Sequence, residues 1–242
     1  NTLTKKESTG YTVTTPKGTT YYYKNSGALH CIVDVQGNVI RITLDSENRP
    51  IAVTDYVGRT TEIAYTNGLL TSIKDFAGRT VSYTYDDENR LTKVTGVDGK
   101  TTTYKYEGKA RNGISEILDK NGKVITKLDY EKADEQYRIF SVTDANDNTR
   151  AYSYDETRRA TIITNSDGTE EIQYFDESYN LIGIKDAAGE TVYYEYFLAE
   201  DGTTKYGEVK SEQDAMGNKT TYEQDAVGNI KKITYPDNGV EI

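Results

Sequence analysis

Glycine returns along this chain at a nearly fixed interval. It, or a residue standing in its place, falls at positions 18, 37, 58, 78, 99, 122, 147, 168, 189, 217 and 239, and the spacings of 19 to 28 residues cluster at 20 to 22. A period of this length marks an array of like supersecondary units, each unable to bury its apolar face alone. The glycine does not recur by itself. Asp precedes it by three residues at Asp34–Gly37, Asp75–Gly78, Asp186–Gly189 and Asp214–Gly217, and a tyrosine follows seven later at Tyr65, Tyr85, Tyr106, Tyr154 and Tyr196. Phe175, Asp129 and Gln224 are the exceptions in that slot. The rest of the unit holds two apolar residues three apart and then an Asp: Leu29/Ile32/Asp34, Leu70/Ile73/Asp75, Ile114/Ile117/Asp119, Ile139/Val142/Asp144 and Leu181/Ile184/Asp186. Each closing Asp opens the next turn, so the units tile without linkers.

Local chemistry makes each unit two strands. Val81, Tyr83 and Tyr85 alternate with polar residues, the period-two pattern of a half-buried strand. Asp at the first place of a turn can bond the backbone two residues on, and Gly at the fourth tolerates positive φ. Asn-Gly pairs in 65–70, 111–117 and 119–124 carry the chemistry of two-residue hairpins. Residues three apart point to opposite faces of a flat strand, so the Leu-x-x-Ile pair predicts a bulge in every unit that restores both to one face. No stretch sustains an amphipathic helical period. The expected fold is all-β: about ten hairpins in one curled antiparallel sheet spanning residues 1–242 as a single array. Two segments depart from the period: 106–115, read as a loose hairpin tip, and 196–210, which accounts for most of the longest interval. Insertions in such arrays usually map to loops on one face.

Composition bounds the partners. The 242 residues carry net charge −10, which disfavours nucleic acid. There are 22 Tyr, 4 Phe and no Trp, and 35% of residues are hydrophobic, suiting a sheet with partly wet faces better than a dense core. Cys31 allows no intrachain disulfide, and no apolar run has the length of a membrane helix. The chain opens on Asn1 rather than Met, as an excised piece of something longer would.

The stretch Asp214–Gly239, DAMGNKTTYEQDAVGNIKKITYPDNG, holds two Asp-x-x-Gly turns (Asp214–Gly217 and Asp225–Gly228), a tyrosine between them and an Ile230/Ile233 pair. This combination closely resembles the RHS/YD repeat, most sharply here and at 75–95. The resemblance implies a β-sheet ribbon that spirals into a hollow shell. In that family such shells enclose a toxic C-terminal polypeptide in bacterial polymorphic toxins and insecticidal toxin complexes. Similar repeats occur in teneurin adhesion receptors and in wall-associated bacterial proteins. The implied partners are flanking repeats and a C-terminal domain of the same polypeptide, at the cell surface or secreted. The family's self-cleaving core motif does not occur in this sequence.

Candidate sites compete with the tile. Asp34, Asp55, Asp75, Asp119, Asp186 and Asp214 share one phase of the repeat, which turn chemistry explains without catalysis. Residues 144–156 faintly resemble a calcium loop but hold Thr149 where glycine belongs. His30 is the single histidine, so no His-dependent triad has partners to choose from. Asn218-Lys219-Thr220 fits a glycosylation acceptor but lies in a turn. These considerations assign no catalytic residue, cofactor or metal. The rival to a scaffold is a glycan-binding face built on exposed tyrosines, and ring exposure separates the two.

Overall fold

The computed structural model describes residues 2–6, 10–106, 110, 112–133, 135–199, 202, 204–225 and 228–242. They form strands and turns with no helix, all within one unclosed 23-stranded sheet. By contacts the chain divides into two compact units, Asn1–Lys105 with Ile117–Lys123 and Tyr106–Glu116 with Val124–Ile242. The first contains β1 (Thr2–Lys6), β2 (Gly10–Thr14), β3 (Thr20–Tyr23), β4 (Leu29–Val33), β5 (Val39–Leu44), β6 (Pro50–Thr54), β7 (Thr60–Thr66), β8 (Leu69–Lys74), β9 (Thr80–Tyr85), β10 (Leu91–Thr95) and β11 (Thr101–Lys105). The short β12 (Glu116–Leu118) falls at the division. The second contains β13 (Val124–Ala133), β14 (Gln136–Asp144), β15 (Thr149–Asp155), β16 (Ala160–Thr164), β17 (Glu170–Phe175), β18 (Leu181–Lys185), β19 (Thr191–Leu198), β20 (Thr204–Gln213), β21 (Lys219–Gln224), β22 (Ile230–Thr234) and β23 (Val240–Glu241).

Within each unit every strand pairs antiparallel with its sequence neighbours. Such a meander puts successive turns on opposite margins of the sheet. Turns after even-numbered strands therefore share one margin, and turns after odd-numbered strands share the other.

The bulges follow the Leu-x-x-Ile pairs. The register slips by one residue at His30, Ile51, Thr71, Thr92, Phe140, Ile182, Lys210 and Lys231, each just after the first member of its pair or that member's stand-in. The result is visible at Leu70 and Ile73, which oppose Tyr65 and Ile63. Those two are neighbours on one face of β7, so the slip brings Leu70 and Ile73 to that same face. β15 and β16 correct the expectation of a bulge in every unit, because they pair in unbroken register from Tyr152↔Ile163 to Asp155↔Ala160. There the turn absorbs the extra residue: Arg159 adopts φ 48°, and its carbonyl accepts the Phe175 N–H at 2.9 Å.

The Asn-Gly pairs are corrected as well. Asn67 and Gly68, at φ 51° and 81°, make the two-residue hairpin that joins Thr66 to Leu69. Gly122, at φ 79°, is instead the fourth residue of the Asp119 turn. Gly113 lies outside the left-handed region, and a Cβ there would come within 2.7 Å of the Tyr130 ring, so close approach explains this glycine. At the last turn Asn238, φ 65°, takes the fourth place and Gly239 the fifth. The tip at 106–115 lies partly outside the described residues. The 196–210 insertion lengthens the β19–β20 hairpin in place of a loop, and β13–β14 is lengthened in the same way.

Neither face of this sheet is densely covered. The accessible surface is 16135 Å² at 27.2 kDa. A compact monomer of this mass exposes roughly 11,000 Å². Among the described residues, the buried apolar side chains are Ala160 and Ile163, 4% and 5% exposed. Most strand residues are half-buried, so each strand derives its burial from its two neighbours.

Candidate functional site

The recurring site is the turn. At Asp34, Asp45, Asp55, Asp75, Asp86, Asp119, Asp144, Asp176, Asp186 and Asp214, one carboxylate oxygen accepts the backbone N–H groups two and four residues on, at 2.8–3.1 Å. The backbone closes the same loop. In the Asp75 turn, the Asp75 N–H donates to Arg79 O at 3.0 Å and Gly78 N–H to Asp75 O at 2.9 Å. The fourth residue is left-handed: Gly37 φ 85°, Gly78 φ 82°, Gly189 φ 89°, Gly217 φ 86° and Gly228 φ 88°. At these positions a Cβ would crowd the following carbonyl.

The second carboxylate oxygen is used as well. It accepts from the fifth residue's side chain, from Asn38 Nδ2 on Asp34 at 2.7 Å, Arg59 Nε on Asp55 at 2.6 Å, Arg79 Nε on Asp75 at 2.6 Å and Asn218 Nδ2 on Asp214 at 2.8 Å. On Asp225 it accepts Asn229 Nδ2 at 3.0 Å. These donors favour the ionised form. The side-chain bond from Arg79 and the backbone N–H groups beside it hold Asp75 below the usual carboxylate range, and Asn38, Asn148 and Asn218 do the same for Asp34, Asp144 and Asp214. A carboxylate so engaged is a weak base and carries no proton to donate at neutral pH, which suits a turn and not acid–base chemistry.

Four tyrosines in or beside the slot after the turn bond a backbone carbonyl. Tyr85 Oη donates to Leu70 O at 2.9 Å, Tyr154 to Ile139 O at 2.6 Å, Tyr196 to Leu181 O at 2.6 Å and Tyr130 to Ile114 O at 3.0 Å. At Leu70, Ile139 and Leu181 the carbonyl sits beside a bulge, so the hydroxyl latches one tile to the preceding one where the ladder is locally disrupted. Burial pushes the Tyr154 and Tyr130 hydroxyls up in pKa, keeping them protonated donors. Tyr83 lies opposite Val94 and is half-buried.

The structure does not gather the turn residues into a cluster. In the first unit Asp34, Gly37, Asp75 and Gly78 lie in turns after even-numbered strands; in the second unit Asp186, Gly189, Asp214 and Gly217 do so too, while Asp225 and Gly228 lie in a turn after an odd-numbered strand. No group of His, Cys, Asp or Glu that could hold a metal occurs among the described residues. In the calcium-like segment, Asp144 accepts its own turn's Asn146 and Asn148. His30 sits at a bulge, and Cys31 is a half-buried free thiol.

Sequence reasoning missed three features. Turns after odd-numbered strands use the same chemistry, at Asp45 and Asp86 in the first unit and at Asp176 in the second, with Asn48, Asn89 and Tyr179 in the glycine place. The motif Asp-x-x-Asn-Arg, readable at 45–49 and 86–90, was the available signal. The fifth-place Asn or Arg is a second carboxylate donor. Tyr130 fills the tyrosine slot eight residues after Gly122 in place of seven. Tyr179 is unusual, a bulky residue at φ 61° and 78% exposed. It borders an open groove of about 660 Å³ with Tyr137, Arg138, Phe175 and Glu177. Arg138 lies over the Tyr154 ring at 4.1 Å and pairs with Glu131 and Glu156.

These features define an all-β array of hairpins with carboxylate-closed turns and tyrosine latches. The sequence model described as RHS Repeat matches residues 65–101 of this chain. No curated protein matches it. Among solved structures, the crystal structure of TcdB2-TccC3 without its hypervariable C-terminal region overlays with TM-score 0.41 at 12% identity, covering 90% of this chain and 15% of that one. The Photorhabdus luminescens Tc holotoxin pore overlays with TM-score 0.31 at 12% identity, covering 90% of this chain and 18% of that one. A porin-like protein from Bacteroides uniformis gives TM-score 0.30 at 14% identity, covering 95% and 91%. The chain thus spans less than a fifth of the two toxin-complex chains. No helix among the described residues is long and apolar enough to cross a membrane.

Proposed function

We propose that this chain is a non-enzymatic wall section, a run of RHS tiles within a larger secreted or surface-displayed polypeptide, acting as one continuous array over residues 1–242. Its partners are then flanking repeats and a C-terminal polypeptide that the wall encloses or displays. The observation that carries this reading is where the tile's polar groups go. The turn carboxylates bind their own turns, and the hydroxyls of Tyr85 and Tyr196 bind carbonyls of the preceding tile. In this reading Asp34, Gly37, Asp75, Gly78, Asp186, Gly189, Asp214, Gly217, Asp225 and Gly228 are structural, as are Tyr83, Tyr85 and Tyr196.

The rival is a glycan-binding surface on the exposed rings, among them Tyr56, Tyr193 and Tyr235. A glycan array separates the two. The wall reading expects no saturable binding that Tyr193→Ala or Tyr235→Ala abolishes. Binding lost in either variant, or hydrolysis of an arrayed glycan, would overturn it.

A further inference from the structure

The two margins of the first unit are built from the same turn but carry different residues at its free places. The turn chemistry commits the first, fourth and fifth residues and leaves the second and third to project into solvent. On the margin after odd-numbered strands those places hold Asn25 and Ser26, Ser46 and Glu47, then Asp87 and Glu88. On the margin after even-numbered strands they hold Pro16 and Lys17, Val35 and Gln36, Tyr56 and Val57, Phe76 and Ala77, then Val97 and Asp98, so four consecutive turns each carry a large apolar side chain, at Val35, Tyr56, Val57, Phe76 and Val97, 56–68% exposed. Nothing in the turn requires apolar residues there, and the opposite margin shows that polar ones serve. Successive turns of this margin lie side by side. A Cβ at Gly18 would lie 3.3 Å from Val35, and the Arg59 guanidinium sits 5.1 Å from the Phe76 ring centre.

We infer that this apolar margin is an interaction surface whose occupant is the same margin of a second copy of this chain. The row repeats at every second strand, roughly 10 Å. A second copy offers the same repeat, so the side chains of one row can enter the gaps of the other. Five such side chains present on the order of 500 Å² per copy, so a pair buries about 1,000 Å², the lower bound of a specific interface. Locally the charge is nearly balanced despite a net −10: Asp55, Asp75 and Asp98 are paired by Arg59, Arg79 and Lys100, while Asp34, the remaining carboxylate of these four turns, is bonded by the neutral Asn38. The inference stands on the two margins and does not depend on the wall reading.

The test is sedimentation velocity of the full chain over a concentration series, beside the variant Val57→Ser/Phe76→Ser, with circular dichroism to establish that both are folded. Glu47→Ser/Glu88→Ser on the opposite margin serves as control. The expected result is a reversible dimer that the apolar-margin variant weakens about tenfold or more and the control leaves intact. A wild-type chain that stays monomeric at 100 µM-scale loading (roughly 3 mg/ml) would overturn the inference. So would a dimer that both variants retain, or a monomer that co-sediments with phospholipid vesicles through Phe76.

Discussion

The two units are made of one tile and differ where the tile leaves choice. In the first, the turns after even-numbered strands display Val35, Tyr56, Val57, Phe76 and Val97. In the second, the corresponding places hold Ala145 and Asn146, Ser166 and Asp167, then Ala187 and Ala188, and a large exposed side chain returns only at Met216. The second unit varies elsewhere. It has the unbulged β15–β16 pair, the long hairpins β13–β14 and β19–β20, and Tyr179 in a glycine place. The committed places keep the fold, while the free places and hairpin lengths give each unit its own surface.

If that is correct, equivalent changes in the two units should cost unequal amounts only where burial differs. Ile163→Ala in the second unit removes one of the few buried apolar side chains and should cost about 3 kcal/mol in chemical denaturation. Ile63→Ala, half-buried in the first unit, should cost about half as much. Equal losses would mean that the units do not differ in packing. The latches should be interchangeable: Tyr85→Phe and Tyr196→Phe should each cost about 1 kcal/mol, because each strands one carbonyl. A marked inequality would break the common-tile account. Tyr179→Asn should stabilise the second unit by about 1 kcal/mol, because Asn tolerates the left-handed conformation that Tyr resists.

Acid offers a finer distinction. The turn aspartates have depressed pKa values, so their stabilisation is full above the ordinary carboxylate value, near pH 4, and is lost as pH falls through the lower folded-state values. Depressed turn carboxylates occur in both units, among them Asp34, Asp75 and Asp86 in the first and Asp144, Asp155 and Asp214 in the second. Amide protection below about pH 4 should therefore fail at these turns before it fails at the strand centres. The reverse order would show that these turns do not set acid stability.

Much of this was legible beforehand because a repeat states its rules many times. The Asp and Gly of each turn, the alternating strand ending at Tyr85 and the need for a bulge at Leu70–Ile73 all follow from residue chemistry at a fixed period. What escaped was information that no single residue type carries. Asn48 and Asn89 replace glycine in two turns after odd-numbered strands because Asn also reaches positive φ, so a search on glycine misses them. The latch from Tyr85 to Leu70 spans two strands and needs the bulge in place before its acceptor is apparent. Gly113 closes a turn onto Ala110 O, but what demands glycine there is room for the Tyr130 ring in place of a positive φ. The apolar margin emerges only when alternate turns are sorted by side, which requires the strand order.

The central claim is that each tile is held by itself and its neighbours. Native-state hydrogen exchange of Asp75→Ala tests it most directly, since the substitution removes the acceptor of two backbone N–H groups and of Arg79. The account predicts that β7 to β10 lose protection while β15 to β22 keep that of the unsubstituted chain. A uniform loss across all strands would contradict it.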